Sequence, residues 1–464
     1  MRLSLHNTLT RSSEPVLPSD GQTLRFYCCG PTVYGPAHIG NLRTFVAQDL
    51  FRRVVEFFGT PTLHVRNITD VDDKTIRDSQ GAGVPLSEFT EMWRSRFNRD
   101  CATLNLLPPH HAPSAVGHLA DQVELIETLI RKGNAYPAEN GSIYFRIDSF
   151  PEYGKLSGLR PTEIRQNASD RLVEADEYDK ESWRDFALWK AWKPQDGVNR
   201  WPSPWGDGRP GWHIECSAMS MRYLGPSFDL HSGGVDLIFP HHENEIAQSE
   251  AATGKPFARH WFHVAHLRVD GGKMSKSLGN LFTLEDVVER GFTAPALRYL
   301  LISGHYRQPL NFTWESLAGA DRALNRILKH LDGSEHPPEG EASLSSMETD
   351  AFTATLEALS EDLNTAKALG SINATLNEHS KDGLSQPLRR DLARILDLLG
   401  ISFRTPASPL PSSVPADIEE LASQRQQARV ERRWQDADAL RAQLSDAGWK
   451  VRDLESGYEL TPKV

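Results

Sequence analysis

The sequence predicts an α/β protein, in which a parallel β-sheet covered by helices is followed by a mainly helical C-terminal half. Three observations support this fold class. A strand, a helix and a second strand follow one another near the N-terminus, apolar residues recur at helical spacing from about residue 284 onward, and 39% hydrophobic with 24% charged residues is a globular composition. At roughly 150 residues per domain, a chain of 464 residues should hold about three domains.

The N-terminal strands and helix form a βαβ unit. Leu24–Cys28 is a short apolar strand that stops before Gly30, and Thr62–Ile68 is a second strand. Apolar residues between them have the spacing of one helix face, which predicts a helix that ends near Gly59. These residues are Ile39, Leu42, Phe45, Val46, Leu50, Val54 and Phe57. Because strands joined by such a helix run parallel, we expect ligands at their carboxyl ends.

Changes in composition divide the rest of the chain. A helical stretch, Leu119–Lys132, is followed by a strand signal at Ser142–Ile147, and sheet-like sequence returns between Trp201 and Gly254. Linkers rich in Pro, Ser, Gly and Glu at 332–346 and 404–415 precede the last two modules. We therefore predict a sheet domain in two halves at 1–110 and 201–265, an insertion at 111–200, a loop and helical region at 266–331, a helical bundle at 347–401 and a small module at 416–464.

Charge and cysteine content restrict the partners and the compartment. With 51 basic and 62 acidic residues the net charge is −11, so a nucleic acid or an anionic membrane would have to meet a local basic patch. The 4 cysteines are too few for a disulfide scaffold of this size. Residues 1–6 lack the apolar core of a signal peptide, and the sequence has no apolar run of about 18 residues. We expect a cytoplasmic protein without a membrane partner.

The segment Gly30–Asn41 joins the first strand to the first helix. Its position brings the helix N-terminus, with unpaired N–H groups, to the carboxyl edge of the sheet, where phosphate binds readily. His38 can donate a hydrogen bond to a phosphate, and Gly40 would let a nucleotide approach the backbone closely. The alternative is a turn in which His38 only caps the helix.

A second segment, Gly271–Asn280, suits a mobile loop that closes over a triphosphate. Lys273 and Lys276 lie three residues apart among glycines and small hydroxyl residues, and their charges would stabilise a leaving pyrophosphate. A surface turn with exposed lysines is the alternative. Together with His38-Ile39-Gly40-Asn41 far upstream, the loop resembles the paired signatures of class I aminoacyl-tRNA synthetases.

Four residues form a possible metal site. His241 and Glu245 are four residues apart on a helix that Pro240 can begin, so they share one face, whereas Glu243 points elsewhere. Two thiolates, an imidazole and a carboxylate suit Zn²⁺. Each residue alone is more often structural, so the prediction rests on the whole set. The set is Cys29, Cys216, His241 and Glu245.

Five segments together resemble the cysteinyl-tRNA synthetase family, with similarity from about residue 5 to about residue 460. They are Cys29–Tyr34, Asn67–Lys74, Gly211–Ser217, Phe239–Glu245 and Lys273–Asn280. The resemblance implies a Rossmann-type catalytic domain with a connective insertion, a helical bundle and an anticodon-binding module. It places the zinc ligands on the four residues of the predicted metal site. Since neighbouring strand residues face opposite sides, only one of Cys28 and Cys29 can face that site, and the family pattern selects Cys29.

The resemblance also implies residues for the two small substrates. His231–Leu237 is similar to the family's glycine-rich nucleotide segment, although Ser232 replaces the first of its three glycines. Gly234 would approach the adenosine and Asp236 would bind the ribose. The implied catalytic residues are His38, Gly40, Asn41, Lys273 and Lys276. The implied ATP-binding residues are His38, Gly40, Asn41, Gly234, Asp236 and Lys276. The implied cysteine-binding residues are Thr32, Thr69, Trp212 and His231.

The implied activity is ligation of L-cysteine to tRNA(Cys) in two steps. The cysteine carboxylate attacks the α-phosphate of Mg²⁺-bound ATP, and the cysteinyl group of the adenylate then passes to the 3′-terminal adenosine of the tRNA. One zinc ion per chain would bind the substrate thiolate. Pocket shape alone discriminates between near-isosteres only about 10–200-fold, whereas a soft metal prefers sulfur to a neutral hydroxyl. A separate editing domain would then be unnecessary, in agreement with the short insertion.

Three acidic residues, Asp70, Asp72 and Asp73, form a cluster of a kind that can bind Mg²⁺. We instead expect them to cap a helix and to pair with Lys74 and Arg66.

A local basic patch for tRNA is predicted near the C-terminus. The helical stretch 418–444 carries several arginines and a tryptophan, which can contact phosphates and stack on unpaired bases. Because acidic residues share this stretch, a solvated charged helix is the alternative. The resemblance favours tRNA binding by Arg429, Arg433 and Trp434; Arg425, Arg432 and Arg441 lie on the same stretch.

Two other functions fit parts of the sequence. A cysteine ligase of the mycothiol-synthesis type shares the catalytic core, but its amino-sugar acceptor needs no C-terminal module after Ala416. A catalytically silent, synthetase-like RNA-binding protein would not need the intact motifs at His38–Gly40 and Lys273–Ser277.

Overall fold

The computed structural model describes residues 1–159, 185–274, 279–331, 342–379, 383–401, 416–431, 433–446, 449–454 and 457–462. The predicted linker at 404–415 and most of the one at 332–346 lie outside these ranges. The chain divides into two compact units, Met1–Ser402 and Phe403–Val464. Among the described helices, none combines the length and the apolar character that crossing a bilayer requires.

The described residues form strands and helices that we number in chain order. The strands are β1 (Ser4–Asn7), β2 (Ser12–Pro15), β3 (Leu24–Cys28), β4 (Thr62–Arg66), β5 (Ala135–Pro137), β6 (Ile143–Phe145), β7 (Phe186–Ala191), β8 (Gly208–Pro210), β9 (Phe228–Gly234), β10 (Ala258–Val264), β11 (Leu267–Val269), β12 (Gly272–Lys273), β13 (Leu310–Phe312), β14 (Trp449–Leu454) and β15 (Gly457–Pro462). The helices are α1 (Ile39–Phe57), α2 (Asp73–Ala82), α3 (Leu86–Thr103), α4 (Leu119–Arg131), α5 (Trp212–Leu224), α6 (Glu243–Thr253), α7 (Leu284–Glu289), α8 (Ala294–Leu301), α9 (Trp314–Leu328), α10 (Thr353–Ser360), α11 (Thr365–Glu378), α12 (Gln386–Leu398), α13 (Ala416–Val430) and α14 (Trp434–Asp446).

The first unit is organised around a four-stranded parallel sheet with the strand order β10, β9, β3, β4. Within it, Cys28 at the end of β3 pairs with Arg66 of β4 and with Ser232 of β9. Helix α1 connects β3 to β4, so the predicted βαβ unit and the α/β fold class are confirmed. The parallel arrangement brings Cys29, which follows β3, and Gly234, the last residue of β9, to one edge of the sheet.

Helix α1 follows its predicted apolar pattern. All seven residues of the predicted face are buried. The helix begins after His38, whose ring Nδ1 accepts a hydrogen bond from the backbone N–H of Asn41 at 3.2 Å, and ends at Phe57. Gly59 follows with a φ of 89°, which glycine adopts without strain.

The segment between Trp201 and Gly254 differs from the sheet-like prediction. It contains helices α5 and α6 on either side of β9, and Cys216 therefore lies on a helix. Residues 213–220 of α5 are all buried, including its glutamate and serines. Since a helix without a polar face lacks the alternation that marks an amphipathic helix, its sequence gave no helical signal.

Smaller sheets and helices complete the two units. Strands β5–β8 form an antiparallel sheet whose last strand lies beyond residue 200, and β11–β13 form a three-stranded sheet. Arg298 of α8 is buried and contacts Asp49 of α1 and the carbonyl of Leu399, which joins the helical region to the central sheet domain. In the second unit, α13 and α14 pack together, and β14 and β15 form an antiparallel hairpin.

Candidate active site

A cavity of about 610 Å³ lies at the carboxyl edge of the central sheet. Its walls come from the loop after β3, the first turns of α1, α2 and α5, and the residues that follow β9. Predicted site residues that line it are Cys29, Thr32, His38, Asn41, Trp212, Gly234 and Asp236. The predicted amino-acid and nucleotide residues therefore share one cavity, with a sulfur end at Cys29 and a nucleotide end at His38 and Gly234.

The four residues of the predicted metal site meet at the sulfur end. The Sγ of Cys29 lies 3.9 Å from the Sγ of Cys216 and 3.8 Å from Oε1 of Glu245. The same Oε1 lies 3.0 Å from Nε2 of His241. All four ligand atoms are within 4.8 Å of one another, and all four residues are buried. Cys28 is buried in β3 and takes no part in this cluster, so the alternation of neighbouring strand residues separates the two cysteines as expected.

These separations fit a zinc ion. Bonds of about 2.0–2.3 Å in tetrahedral geometry hold the ligand atoms about 3.3–3.8 Å apart. The distances of 3.0, 3.8 and 3.9 Å within the cluster lie close to that range. Two sulfurs with one nitrogen and one oxygen are also the mixed, soft donor set that zinc accepts.

A second set of four donors overlaps the first. Cys29 and Glu245 are common to both sets, and His231 and His242 replace Cys216 and His241 in the second. In that set, Nε2 of His242 lies 3.3 Å from the Sγ of Cys29. The two sets differ in chemistry, because only the first offers two thiolates.

Burial and mutual attraction shift the pKa values of the four clustered residues in different directions. Burial raises the pKa of the Cys29 thiol well above its usual range, whereas the hydrogen bond from Cys29 lowers the pKa of Cys216 to about 6. Burial opposes ionisation of His241 and Glu245, yet their mutual attraction raises the pKa of His241 to about 10, and His231 and His241 lower the pKa of Glu245 to about 2. Protons on Cys29 and His241 would leave when a metal binds.

Aromatic and imidazole side chains pack against the residues of the cluster. Trp212 stacks on His241 with ring centroids 4.2 Å apart, and Nδ1 of His213 lies 3.0 Å from Nδ1 of His241. His231 is completely buried, and its Nε2 lies 2.9 Å from Oε2 of Glu245. The structure thus places His231 against a candidate metal ligand. Such outer contacts orient metal ligands.

Helix α6 starts as the sequence indicated. The backbone is extended at Phe239 and helical from Pro240 into α6, which puts His241 and Glu245 on one face. Glu243 points elsewhere and accepts hydrogen bonds from the backbone N–H groups of Gly154 and Ser157 at 2.9 and 2.8 Å. It thereby connects the insertion to helix α6, which carries Glu245 and directly follows the turn that carries His241.

The N-terminus of α1 differs from the expectation of unpaired N–H groups. The N–H of Ile39 donates to the carbonyl of Phe282 at 2.8 Å, and that of Asn41 is capped by His38. Only the N–H of Gly40, among the first three helical residues, has no described partner. His38 therefore does cap the helix, as in the alternative considered above, and it also lines the cavity.

The cap determines which ring nitrogen of His38 carries the proton. Because Nδ1 accepts the bond from Asn41, the neutral ring has its proton on Nε2, which remains a donor. Burial lowers the pKa of His38, so that the ring is neutral. The capping and ligand-binding interpretations of His38 are compatible, since they use different nitrogens.

At two glycines of the nucleotide end, an added Cβ would crowd a neighbouring side chain. A Cβ on Gly40 would lie 3.0 Å from Nδ1 of His38 and 3.3 Å from Sδ of Met274. A Cβ on Gly234 would lie 2.3 Å from Oδ1 of Asp236. Ser232 is accommodated because it lies within β9, where its Oγ accepts a hydrogen bond from Gln48 at 3.1 Å.

The Lys273–Asn280 loop is described only in part. Lys273 belongs to β12, and Met274 lines the cavity beside Gly40. Lys276, with the rest of 275–278, lies outside the described residues.

The two predicted threonines lie side by side on neighbouring strand ends. Thr32 and Thr69 form a parallel backbone bridge, and Thr32 lines the cavity. Thr69 is buried, and its Oγ1 donates to Oε2 of Glu215 at 3.0 Å. Burial raises the pKa of Glu215 well above its usual range.

The acidic cluster caps helices but forms other ion pairs than those predicted. Asp72 caps α2, and Asp70 accepts a hydrogen bond from the N–H of Val116 at 2.9 Å. Asp73 pairs with Lys190, at 2.7 Å, and with Arg209, both close in space and distant in sequence. The predicted pairing with Lys74 and Arg66 was wrong: Lys74 lies over the ring of Tyr34, and Arg66 over those of Phe45 and Phe97.

The predicted tRNA-binding residues of the second unit differ in exposure. Trp434, the first residue of α14, is 58% exposed, and Arg433 beside it is exposed and paired with Glu431 and Asp436. Arg429 is half-buried, whereas Arg425 is buried at 3% exposure. Arg432 lies outside the described residues.

Comparisons with known proteins agree along the whole chain. Residues 15–322 match the model of the tRNA synthetase class I (C) catalytic domain, and residues 412–457 match that of the cysteinyl-tRNA ligase anticodon-binding domain. The cysteine–tRNA ligase of Opitutus terrae is 48% identical over 475 residues, which cover 100% of this chain and 99% of that protein. This chain belongs to the cysteine–tRNA ligase family. Another relative, the cysteine–tRNA ligase of Legionella pneumophila, is 44% identical over 98% of both chains.

Solved structures of other class I synthetases share the fold. Methionyl-tRNA synthetase of Mycobacterium tuberculosis, in complex with methionyl-adenylate, is similar over 82% of this chain and 89% of its own, with a TM-score of 0.55 and 16% identity. Leucyl-tRNA synthetase of Agrobacterium radiobacter, in a ternary complex with tRNA and LeuAMS, is similar over 82% and 84% with a TM-score of 0.56 and 13% identity. These similarities confirm the class I synthetase fold that the sequence predicted.

Sequence reasoning missed several buried residues around the cluster of this family member. His213, Glu215 and Gln248 were not singled out, although the first two belong to a segment that carries the resemblance. Gln248 donates to the carbonyl of His213 and to Oγ of Ser217, both at 2.6 Å. A glutamate or histidine within a fully buried helix is a signal in itself, but the burial of α5 was not visible in the sequence.

Proposed function

We propose that this protein activates L-cysteine with ATP and transfers the cysteinyl group to the 3′-terminal adenosine of tRNA(Cys). One observation carries the proposal: Cys29, which belongs to the cluster with Cys216, His241 and Glu245, lines the same cavity as His38 and Gly234. An amino acid held by its side chain at one end would present its carboxylate to a nucleotide at the other.

Selection of cysteine would take place at the sulfur end. Zinc bound by the four clustered residues would hold the substrate thiolate in preference to the hydroxyl of serine. Trp212 would cover the substrate from above His241, with Thr32 and Thr69 beside it. His231 would act indirectly, because it holds Glu245 in place.

Adenylate formation would take place at the nucleotide end. The Nε2–H of His38 would donate a hydrogen bond to the α-phosphate of Mg²⁺-bound ATP, and Gly40 and Asn41 would lie beside the bound nucleotide. Gly234 and Asp236 would receive the adenosine and its ribose. Lys273 and Lys276 would stabilise the leaving pyrophosphate when their loop closes.

Transfer requires recognition of the tRNA. In the second unit, Trp434 offers an exposed indole at the start of α14, next to Arg433, and Arg429 lies near the end of the preceding helix α13. We assign anticodon binding to these three residues. We expect the enzyme to act as a cytoplasmic monomer with one zinc ion per chain.

The assay that tests this function is ATP–pyrophosphate exchange with cysteine or serine, followed by charging of tRNA(Cys). Exchange with cysteine alone and charging of tRNA are the expected results. Exchange without charging would favour a ligase with an amino-sugar acceptor, and the absence of both reactions would favour a silent RNA-binding protein.

Loss of one stacked base costs about 1–3 kcal/mol, so Trp434→Ala should raise the KM for tRNA about 5–100-fold and leave exchange unchanged.

A further inference from the structure

Glu215 is a buried carboxylate that the proposed reaction has not used. It is 1% exposed, lies on α5 immediately before Cys216, and lines the cavity. Its Oε2 accepts the hydrogen bond from Thr69, whereas its Oε1 is buried without a hydrogen-bond partner in the part of the chain that the structure describes. Buried carboxylate oxygens are normally paired, so an unpaired one beside a substrate cavity points to a ligand.

A chain of hydrogen bonds fixes the orientation of this carboxylate. The N–H of Gly30 donates to Oδ1 of Asn67 at 2.7 Å, which determines that Nδ2 of Asn67 faces Thr69. That Nδ2 donates to Oγ1 of Thr69 at 3.1 Å, so the hydroxyl proton of Thr69 goes to Glu215. All donors of the chain point towards Glu215, so the second oxygen of its ionised form is an open acceptor.

The other acids that line the cavity are engaged elsewhere. Asp73 is paired with two basic side chains, and Asp72 caps helix α2. Asp236 is exposed and lies next to Gly234 at the nucleotide end. Glu215 is therefore the cavity-lining acid that is adjacent in sequence to a candidate metal ligand.

We propose that Glu215 binds the α-ammonium group of the amino-acid substrate, and this inference rests on the proposed function. In cysteine the amino nitrogen is bonded to the carbon next to the one that carries the sulfur. An amino acid held by its sulfur therefore places its ammonium group close to the residues around the sulfur end. The ammonium has three donors and no acceptor, which matches the open oxygen of Glu215. Its positive charge would offset the burial of the carboxylate. Thr69 is then a positioning residue, because it acts through Glu215.

The inference makes the site selective for α-amino thiols. A thiol acid such as 3-mercaptopropionate is cysteine without its amino group, and it would keep the sulfur and carboxylate contacts while it loses the contact to Glu215. The ratio of the two affinities therefore isolates the interaction between Glu215 and the ammonium.

The test compares calorimetric binding of L-cysteine and 3-mercaptopropionate to the zinc-loaded full chain and to Glu215→Gln. We expect the affinity for cysteine to fall about 10–100-fold in the variant, the range for a hydrogen bond to a charged group, while that for 3-mercaptopropionate changes less than about threefold. Zinc content should remain one per chain. The matched control is Glu243→Gln, an equally buried glutamate bound to the insertion, which should leave the ratio of affinities unchanged.

Two results would overturn the inference. Equal weakening of both ligands, or loss of zinc, would mean that Glu215 supports the metal site rather than the ammonium. If Glu215→Gln does not fold, Thr69→Val removes the donor that orients the carboxylate, and it should weaken cysteine selectively by a smaller factor; an equal effect on both ligands would again contradict the proposal.

Failure of the inference is distinguishable from failure of the proposed function. Cysteine-dependent exchange by the unmodified protein tests the function alone. If exchange occurs and the ratio of affinities is the same in Glu215→Gln, only the assignment of Glu215 is wrong. If exchange does not occur, the function is wrong, whatever the ratio shows.

Discussion

The two ends of the cavity differ in the groups that line them and in how far these groups are buried. At the sulfur end, four side chains with metal-binding chemistry are all at most 7% exposed, and they are held by further buried histidines. At the nucleotide end, the cavity is lined by Asn41, Gly234, a half-buried His38 and an exposed Asp236. The sulfur end is thus a buried cluster of metal-binding side chains, whereas the nucleotide end combines half-buried and exposed side chains with glycine backbone.

This difference predicts different consequences of substitution. Loss of a ligand at the sulfur end should remove the metal and with it the affinity for the amino acid. Changes at the nucleotide end should leave metal and amino-acid binding intact and should lower the rate of adenylate formation. The comparison fails if variants at the two ends have the same effects.

The largest effect is expected for Cys216→Ser. The hydroxyl is a poor substitute for a thiolate ligand, so we expect loss of bound zinc and a rise of more than about 100-fold in the KM for cysteine, since even outer contacts of a metal site are worth about 10–100-fold. Zinc content by mass spectrometry and exchange kinetics would measure both quantities.

Cys28→Ser is the matched control for this variant. Cys28 is also buried at the carboxyl edge of the sheet but lies outside the cluster, so the variant should keep its zinc even if it is less stable. Unchanged cysteine affinity in zinc-free Cys216→Ser would show that the metal does not select the substrate.

The sulfur end was largely predictable from the sequence. Its residues are chemically distinctive, and helical spacing joined His241 to Glu245 without knowledge of the fold. The strand alternation at Cys28 and Cys29 left two possibilities, and the resemblance to the family chose between them. The structure brings all four residues within 4.8 Å of one another.

The contacts around both ends were not predictable, because they join residues distant in sequence. The carbonyl of Phe282 accepts a hydrogen bond from the N–H of Ile39, and Asp73 forms ion pairs with residues of the insertion and of β8. Helix α5 is buried on all sides, so its sequence lacks the amphipathic pattern that marks a helix. The position of Glu215 on that helix was therefore not predictable either. A local sequence pattern indicates which residues share one face of a helix or strand. These hydrogen bonds and ion pairs depend instead on how separate segments of the chain pack together.

A smaller effect is expected for His38, where two functions can be separated. His38→Ala loses both the cap on Asn41 and the Nε2 donor, whereas His38→Asn keeps a capping oxygen and loses the donor. Both variants should slow cysteine-dependent exchange about 100–1000-fold, the usual cost of one donor to a developing charge. Only His38→Ala should also lose about 1 kcal/mol of unfolding free energy in denaturant titrations.

Zinc content and the KM for cysteine serve as internal controls for both His38 variants, and neither should change more than about threefold. Near-normal exchange by His38→Asn would mean that His38 only caps the helix. The predicted difference between the two ends would then be lost, because the nucleotide end would not contribute to the rate of adenylate formation through His38.

The smallest effect is expected for Gly40→Ala, which tests whether backbone shape matters at the nucleotide end. The added methyl group would lie 3.0 Å from Nδ1 of His38 and 3.3 Å from Sδ of Met274. Overpacking of this kind costs about 1–3 kcal/mol, so adenylate formation should slow about 5–150-fold with zinc and cysteine affinity unchanged. Single-turnover kinetics of adenylate formation would measure the effect.

The double variant Gly40→Ala/Met274→Ala identifies the source of that cost. Removal of the thioether leaves room on one side of the new methyl group and leaves the contact with His38, so the rate should recover in part relative to Gly40→Ala. Because Met274 precedes Lys276 in the same loop, recovery would mean that this loop lies against Gly40 when the adenylate forms. The same rate in the single and double variants would mean that the loop has left Gly40 by then, and that the glycine is needed for the close approach of ATP or for His38 alone.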